Sequence, residues 1–143
     1  MNIFKEIVEL KPKELFTVIT PIVNSVIDKS GIKDGICLIH TYHTTGNIKI
    51  LENELLLKQD MMMFLERVAP KTAYYAHNDI ANRNVPPDER LNGHSHIWSL
   101  MFTNQETIPI VDGRLDLGTW QSLFFIDTDL GKQGRRFGIT ILY

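Results

Sequence analysis

At 143 residues, with 43% hydrophobic and 22% charged side chains, the chain has the size and composition of one globular domain with its own core. A formal charge of −2 argues against general nucleic-acid binding, which draws on a basic excess. Cys37 is the one cysteine, so no intrachain disulfide can form; no apolar run approaches the roughly 18 residues of a membrane span, and no basic-then-apolar leader opens the chain. A soluble, cytoplasmic protein without a membrane partner is the expectation.

In chain order, residues 3–10 alternate partially and predict a first strand, followed by a short extended stretch at 15–19. A helix should then begin with Thr20 as its cap and Pro21 at its first position, where a missing N–H costs nothing. Ile22, Val23, Val26 and Ile27 line one face of it, and Gly31 stops it. Strands at 35–41 and 47–51 follow, with Cys37 read as a buried small hydrophobe. Asn53 can cap a second helix in which Leu57, Met61, Phe64, Leu65 and Val68 form one stripe, closed by Pro70. The run Met61-Met62-Met63 reads as part core, part subunit contact.

Residues 71–93 are polar and proline-bearing, a loop of a length that is usually functional or mobile. A short third helix is predicted over 95–102. Two strands, 108–111 and 114–117, flank Asp112-Gly113, a strong hairpin signal because glycine accepts the positive φ of the turn. Strands at 120–126 and 137–142 complete about seven strands and three helices. Without strict β-α-β alternation this predicts one α+β domain, with mostly antiparallel or mixed sheets, over residues 1–143.

Five histidines fall in three segments: His40 and His43, His77, then His94 and His96. On a strand, His40 and Tyr42 share one face and Thr41 and His43 the other, so His40 and His43 do not reach one site unless the strand breaks. His94 and His96 diverge by about 200° in a helix, but could converge at a helix entry. The three segments plus Asp79 could supply the nitrogen and oxygen ligands that a divalent ion accepts; no HExxH or CxxC spacing is present, and hydrogen-bonded scaffold histidines explain the spacing equally well. Arg135 and Arg136 could hold a phosphate, or form a solvated pair at a strand start. Trp120 reads as core ahead of a stacking platform. No Walker A loop, dinucleotide fingerprint or GxSxG elbow occurs.

Taken in order, His43-Thr44-Thr45, Tyr75-Ala76-His77-Asn78-Asp79, Asn92-Gly93-His94-Ser95-His96, Ile108-Pro109-Ile110 and the block from Asp112 to Gln121, with Arg135-Arg136 before the last strand, resemble the secondary thiamine-phosphate synthase (YjbQ-like) family. Gly118-Thr119-Trp120-Gln121 is the most diagnostic piece. The resemblance runs from residue 35 to the C-terminus and is looser before it. It implies a compact α+β protein assembling as a homotrimer, with a polar site built on His43, His77 and His96.

The resemblance further implies that a divalent metal, zinc or magnesium, can sit there. The reaction it implies is that of a transferase joining an aminopyrimidine pyrophosphate to a thiazole phosphate, possibly as a side activity. On this footing His43, His77, Asp79 and His96 are the candidate catalytic residues, with Asp79 orienting an imidazole. His43, His77, His96 and, as a fourth, His94 are the candidate metal ligands. Thr44, Trp120, Gln121, Arg135 and Arg136 are the candidate contacts to a small phosphorylated metabolite. The alternatives are a non-catalytic trimeric module binding a metal or phosphometabolite, and a metal-dependent hydrolase. Gly46-Asn47-Ile48-Lys49 departs from the family pattern beside His43 and could reshape the pocket, whereas the departure at 101–105 is expected to alter only a turn.

Overall fold

Two antiparallel sheets frame the chain in the computed structural model, which describes residues 1–131 and 134–143. In chain order the elements are β1 (Ile3–Leu10), β2 (Phe16–Val18), α1 (Thr20–Ser30), β3 (Gly35–Thr41), β4 (Gly46–Leu51), α2 (Leu55–Val68), α3 (Gly93–Ser99), β5 (Gln105–Val111), β6 (Arg114–Leu115), β7 (Ser122–Asp127) and β8 (Arg135–Leu142). Two short 3-10 turns, Ala76–Asn78 and Ile80–Asn82, lie between α2 and α3. One sheet has the order β1-β8-β3-β5-β6 and the other β2-β7-β4. The expected α+β class is adopted, with eight strands among the described residues where about seven were predicted.

β7 joins the layers. Successive side chains of a strand face opposite ways. Leu123 and Phe125 therefore enter a core with Val23 and Ile27 of α1, Ile39 of β3 and Phe137 of β8. Phe124 and Ile126 enter a second core with Phe16 of β2, Leu65 of α2 and Trp98 of α3. A strand buried on both faces needs a near-continuous apolar run, which is what residues 123–126 are. Burying each such side chain contributes about 1.5–3 kcal/mol. Cys37 is fully buried in the first core, and burial pushes its thiol up to about 12, an inert group as expected.

Both predicted helix caps are corrected. Thr20 is the first residue of α1 rather than its cap; Ile19 holds the cap position without a side-chain bond. The Thr20 hydroxyl instead accepts the Leu123 N–H at 2.8 Å, which ties α1 to β7. In α2 the cap is Glu54, not Asn53: its two carboxylate oxygens accept the N–H groups of Leu56 and Leu57 at 2.8 and 2.6 Å. A carboxylate there also meets the positive end of the helix. The predicted stripe of α2 is buried only at Leu65, while Phe64, Val68, Leu55, Leu56 and Met63 stay exposed.

The Asp112-Gly113 turn is as predicted. Both residues have positive φ, 51° and 79°, the signature of the two-residue hairpin turn whose twist suits the flanking strands. The following strand is shorter than expected, ending at Leu115, and β7 starts at Ser122 rather than at residue 120. Trp120 is consequently 74% exposed, which overturns its reading as core.

Candidate functional site

The site is assembled where β3 ends, β4 begins and α3 crosses the smaller sheet. β3 stops at Thr41, and Thr41 Oγ1 accepts the His43 N–H at 3.2 Å, so the chain turns there before entering β4 at Gly46. His40 and Tyr42 do share a face, with ring centroids 4.7 Å apart. Both rings lie over Gly138, where any Cβ would collide with them. Thr41 and His43 lie together against Gly46 instead, as alternation required.

A cleft of about 930 Å³ opens between His43, Thr44 and Asn47 on one side and His96, Ser99 and Leu100 of the α3 region on the other. Thr103, Asn104 and Gln105 close its third wall. Its floor is a chain of hydrogen bonds. Asn47 Nδ2 donates to Ser99 Oγ at 3.1 Å and to the Ile126 carbonyl at 3.3 Å. Ser99 Oγ lies 2.8 Å from Thr128 Oγ1, which in turn lies 2.9 Å from the carbonyls of Thr45 and Ser95. Buried polar groups persist only when partnered in this way. The chain locks β4, α3 and the end of β7 together beneath the cleft.

The two histidines of α3 part company. Both lie inside the helix Gly93–Ser99, not at a non-helical entry, so their rings diverge. His96 faces the cleft, and His77 packs edge-on against it at 4.6 Å between centroids. Asn78 Oδ1 holds the Gly93 N–H at 2.9 Å and so keeps the turn bearing His77 beside the start of α3. His94 points instead into a separate cavity of about 210 Å³ with Lys71, Trp98 and Asp129. This removes His94 from the site.

Electrostatics favour neutral rings. Burial lowers the pKa of His43, and the nearby Arg135 and Arg136 charges lower it further. His96 is lowered by burial and then by His77; His94 is lowered by burial and then by Lys71. Desolvation and a like charge both penalise the imidazolium.

The other expected residues are placed as follows. Arg135 is only 8% exposed, and its guanidinium is committed internally. It donates to both oxygens of Asp127 at 3.0 and 2.6 Å, to Thr45 Oγ1 at 3.2 Å and to the Asp129 carbonyl at 3.0 Å. The adjacent Arg136 is exposed, stacks over the Tyr42 ring at 5.4 Å and has no carboxylate partner among the described residues. The Asp79 carboxylate accepts from Asn82 Nδ2 at 2.8 Å, not from an imidazole, which corrects its orienting role. Thr44 lines the cleft, whereas Trp120 and Gln121 do not; Gln121 Oε1 holds the Gly118 N–H at 2.8 Å in the preceding turn.

The residues do not fit a shared divalent ion. Among the described residues, no group of three or more His, Cys, Asp or Glu side chains is placed to hold a metal. No carboxylate is among the described residues that line the cleft. His43 Nε2 already accepts the Arg136 backbone N–H at 2.8 Å.

With the geometry described, comparison with other proteins gives the family. A family model described as UPF0047 protein YjbQ-like matches residues 6–143. The chain belongs to this family. A UPF0047 protein of Methanothermobacter thermautotrophicus is 37% identical over 123 residues, covering 86% of this chain and 79% of that one. A UPF0047 protein of Methanocaldococcus jannaschii is 35% identical over 141 residues, covering 98% and 94%. Among solved structures, a YbjQ-like protein of unknown function from Sulfolobus solfataricus P2 matches with a TM-score of 0.83 at 26% identity, covering 98% of this chain and 96% of that one. An uncharacterized conserved YjbQ/UPF0047 protein from Clostridium acetobutylicum matches at 0.79 and 29% identity, covering 96% and 99%.

In this YjbQ-like chain, the sequence did not point to Ser99, Thr128 or the wall at 103–105, whereas Gly46 and Asn47, expected to shape the pocket beside His43, do line it. Asn47 is 3% exposed, and a buried amide in a strand must be partnered. The segment 101–105, expected to be only a turn, supplies that wall, which corrects the expectation.

Proposed function

We propose that the cleft between His43 and His96 binds a small phosphorylated metabolite, and that the chain is a transferase of thiamine-phosphate-synthase type working without a bound metal. The observation that carries this reading is the cleft's lining: two neutral imidazoles with Thr44, Asn104 and Gln105, set beside the apolar Ile97, Leu100 and Phe102, and no carboxylate among its described residues. Phosphate oxygens are acceptors, so they suit donor-rich walls and are repelled by carboxylates. Arg136 does not line the cleft, since its side chain stacks over Tyr42 beside a separate cavity with Glu9 and Lys11, but its charge acts on His43 from there.

The reaction type rests on the resemblance of the ordered motifs. In it the thiazole nitrogen attacks the pyrimidine methylene, the carbon–oxygen bond breaks, and pyrophosphate leaves with the electron pair. Donors aimed at the departing oxygens stabilise the charge that develops there. His96, with His77 against its ring, is the candidate for proton transfer in the cleft. Assembly as a homotrimer belongs to this reading too. It is supported by the apolar groups left bare on one face of the larger sheet, Ile3, Ile7, Ile36 and Val111, and along α2.

The test is calorimetry with inorganic pyrophosphate and a panel of phosphorylated metabolites, beside a fluorescence assay for thiamine phosphate. Binding and turnover are expected, with turnover falling at least about tenfold in His96→Ala while the fold is kept. Absence of binding across the panel would sink the proposal. Binding without turnover would favour a non-catalytic phosphometabolite module.

A further inference from the structure

The start of β8 leaves one backbone group without a strand partner. In an antiparallel ladder, both polar groups of a residue face the same neighbour. Arg136 lies opposite Tyr42 in the β3–β8 register, beyond the last paired residues, Thr41 and Phe137. Its carbonyl still accepts the Tyr42 N–H, at 3.4 Å. Its own N–H would complete the pair with the Tyr42 carbonyl, but the chain turns away after Thr41. His43 Nε2 takes that N–H instead, at 2.8 Å.

This contact decides the chemistry of the ring. A backbone N–H can only donate, so Nε2 must offer its lone pair. A neutral imidazole carries one proton, which therefore resides on Nδ1. Nδ1 makes no hydrogen bond to the described residues and is absent from the buried side-chain atoms that lack a partner. It belongs to a half-buried residue that lines the cleft.

We infer that His43 acts in the cleft as a fixed hydrogen-bond donor through Nδ1–H, its tautomer set by the Arg136 backbone, and that it meets a phosphate oxygen rather than a metal ion or a proton to be abstracted. A metal ligand or general base needs a free lone pair on the nitrogen facing its target. On His43 that lone pair is spent on the strand end. The ring is a positioning group whose orientation is built into the sheet. The nature of the ligand rests on the phosphate reading of the cleft; the tautomer does not.

Two measurements separate these parts. The first is nitrogen-15 NMR of histidine-labelled protein near neutral pH, with the His43 signals identified by their absence in His43→Gln. Protonation at Nδ1, unchanged by zinc chloride, is expected. Protonation at Nε2, or a zinc-induced shift of a His43 nitrogen, overturns the inference whether or not any phosphate binds. The second is pyrophosphate titration of two substitutions. A glutamine side chain can place its carbonyl near Nε2 and keep the Arg136 bond without a donor at Nδ1; an asparagine can place an N–H near Nδ1. His43→Gln should retain its melting temperature and bind pyrophosphate about tenfold more weakly. His43→Asn should stay within about threefold of the parent. Equal affinities in the parent and His43→Gln, or a greater loss in His43→Asn, would contradict the donor role. If the parent itself fails to bind pyrophosphate, the phosphate reading falls, and the NMR result alone judges the tautomer.

Discussion

The imidazole of His43 and the backbone N–H of Arg136, 93 residues apart in sequence, are joined at 2.8 Å, so that a side chain of the cleft also terminates a strand pair. Charge reaches His43 from the same quarter, because both arginines at the start of β8 disfavour its protonation.

Acid should destabilise the protein through its histidines before its carboxylates. His43, His94 and His96 all have folded pKa values below the ordinary 6.5. As pH falls below 6.5, the unfolded state takes up protons that the folded state still refuses, so stability falls with pH until the folded values are reached. Calorimetric melting temperatures should therefore drop between about pH 7 and about pH 5, the histidine range. The slope should be shallower in a His94→Asn, His96→Asn double variant. A flat profile in the parent would show that these rings are not held neutral by the fold.

The neighbouring arginines should behave oppositely. Asp127→Asn leaves the buried Arg135 guanidinium without its counter-charge and should cost about 3–5 kcal/mol in urea unfolding. Arg136→Ala touches an exposed side chain and should change stability by less than about 0.5 kcal/mol. Its effect should appear in pyrophosphate affinity instead. A stable Asp127→Asn variant would mean that Arg135 finds other partners.

Gly113→Val forces a β-branched residue into the left-handed region, where φ is 79°. The loss should be about 1–2 kcal/mol. The cleft lies outside this hairpin, so pyrophosphate affinity should be unaffected in the folded fraction. An unchanged unfolding midpoint would show that the turn relaxes to another type.

Light scattering at micromolar concentration should return three times the mass of one chain. Replacing exposed apolar groups, with Ile7→Lys on β1 and Phe64→Lys on α2 tested separately, should identify which bare face is covered. A monomer mass for the parent protein would remove the trimer from the proposal.

Composition, periodicity and turn chemistry by themselves determined the α+β class, the three helices and the Asp112-Gly113 turn, because each depends on residues a few positions apart. They also separated His40 from His43, since strand alternation is a local rule. Helix caps were less legible: Thr20 and Glu54 take their roles from partners that compete for the same groups, Leu123 for the one and the α2 backbone for the other. The site was decided only by tertiary structure. Whether His94 joined His96 turned on where α3 began, and whether Arg135 met a ligand or Asp127 turned on what lay across the fold. The tautomer of His43 depends on a strand ending that spacing cannot reveal, because the group demanding its lone pair belongs to a chain segment that only folding brings alongside.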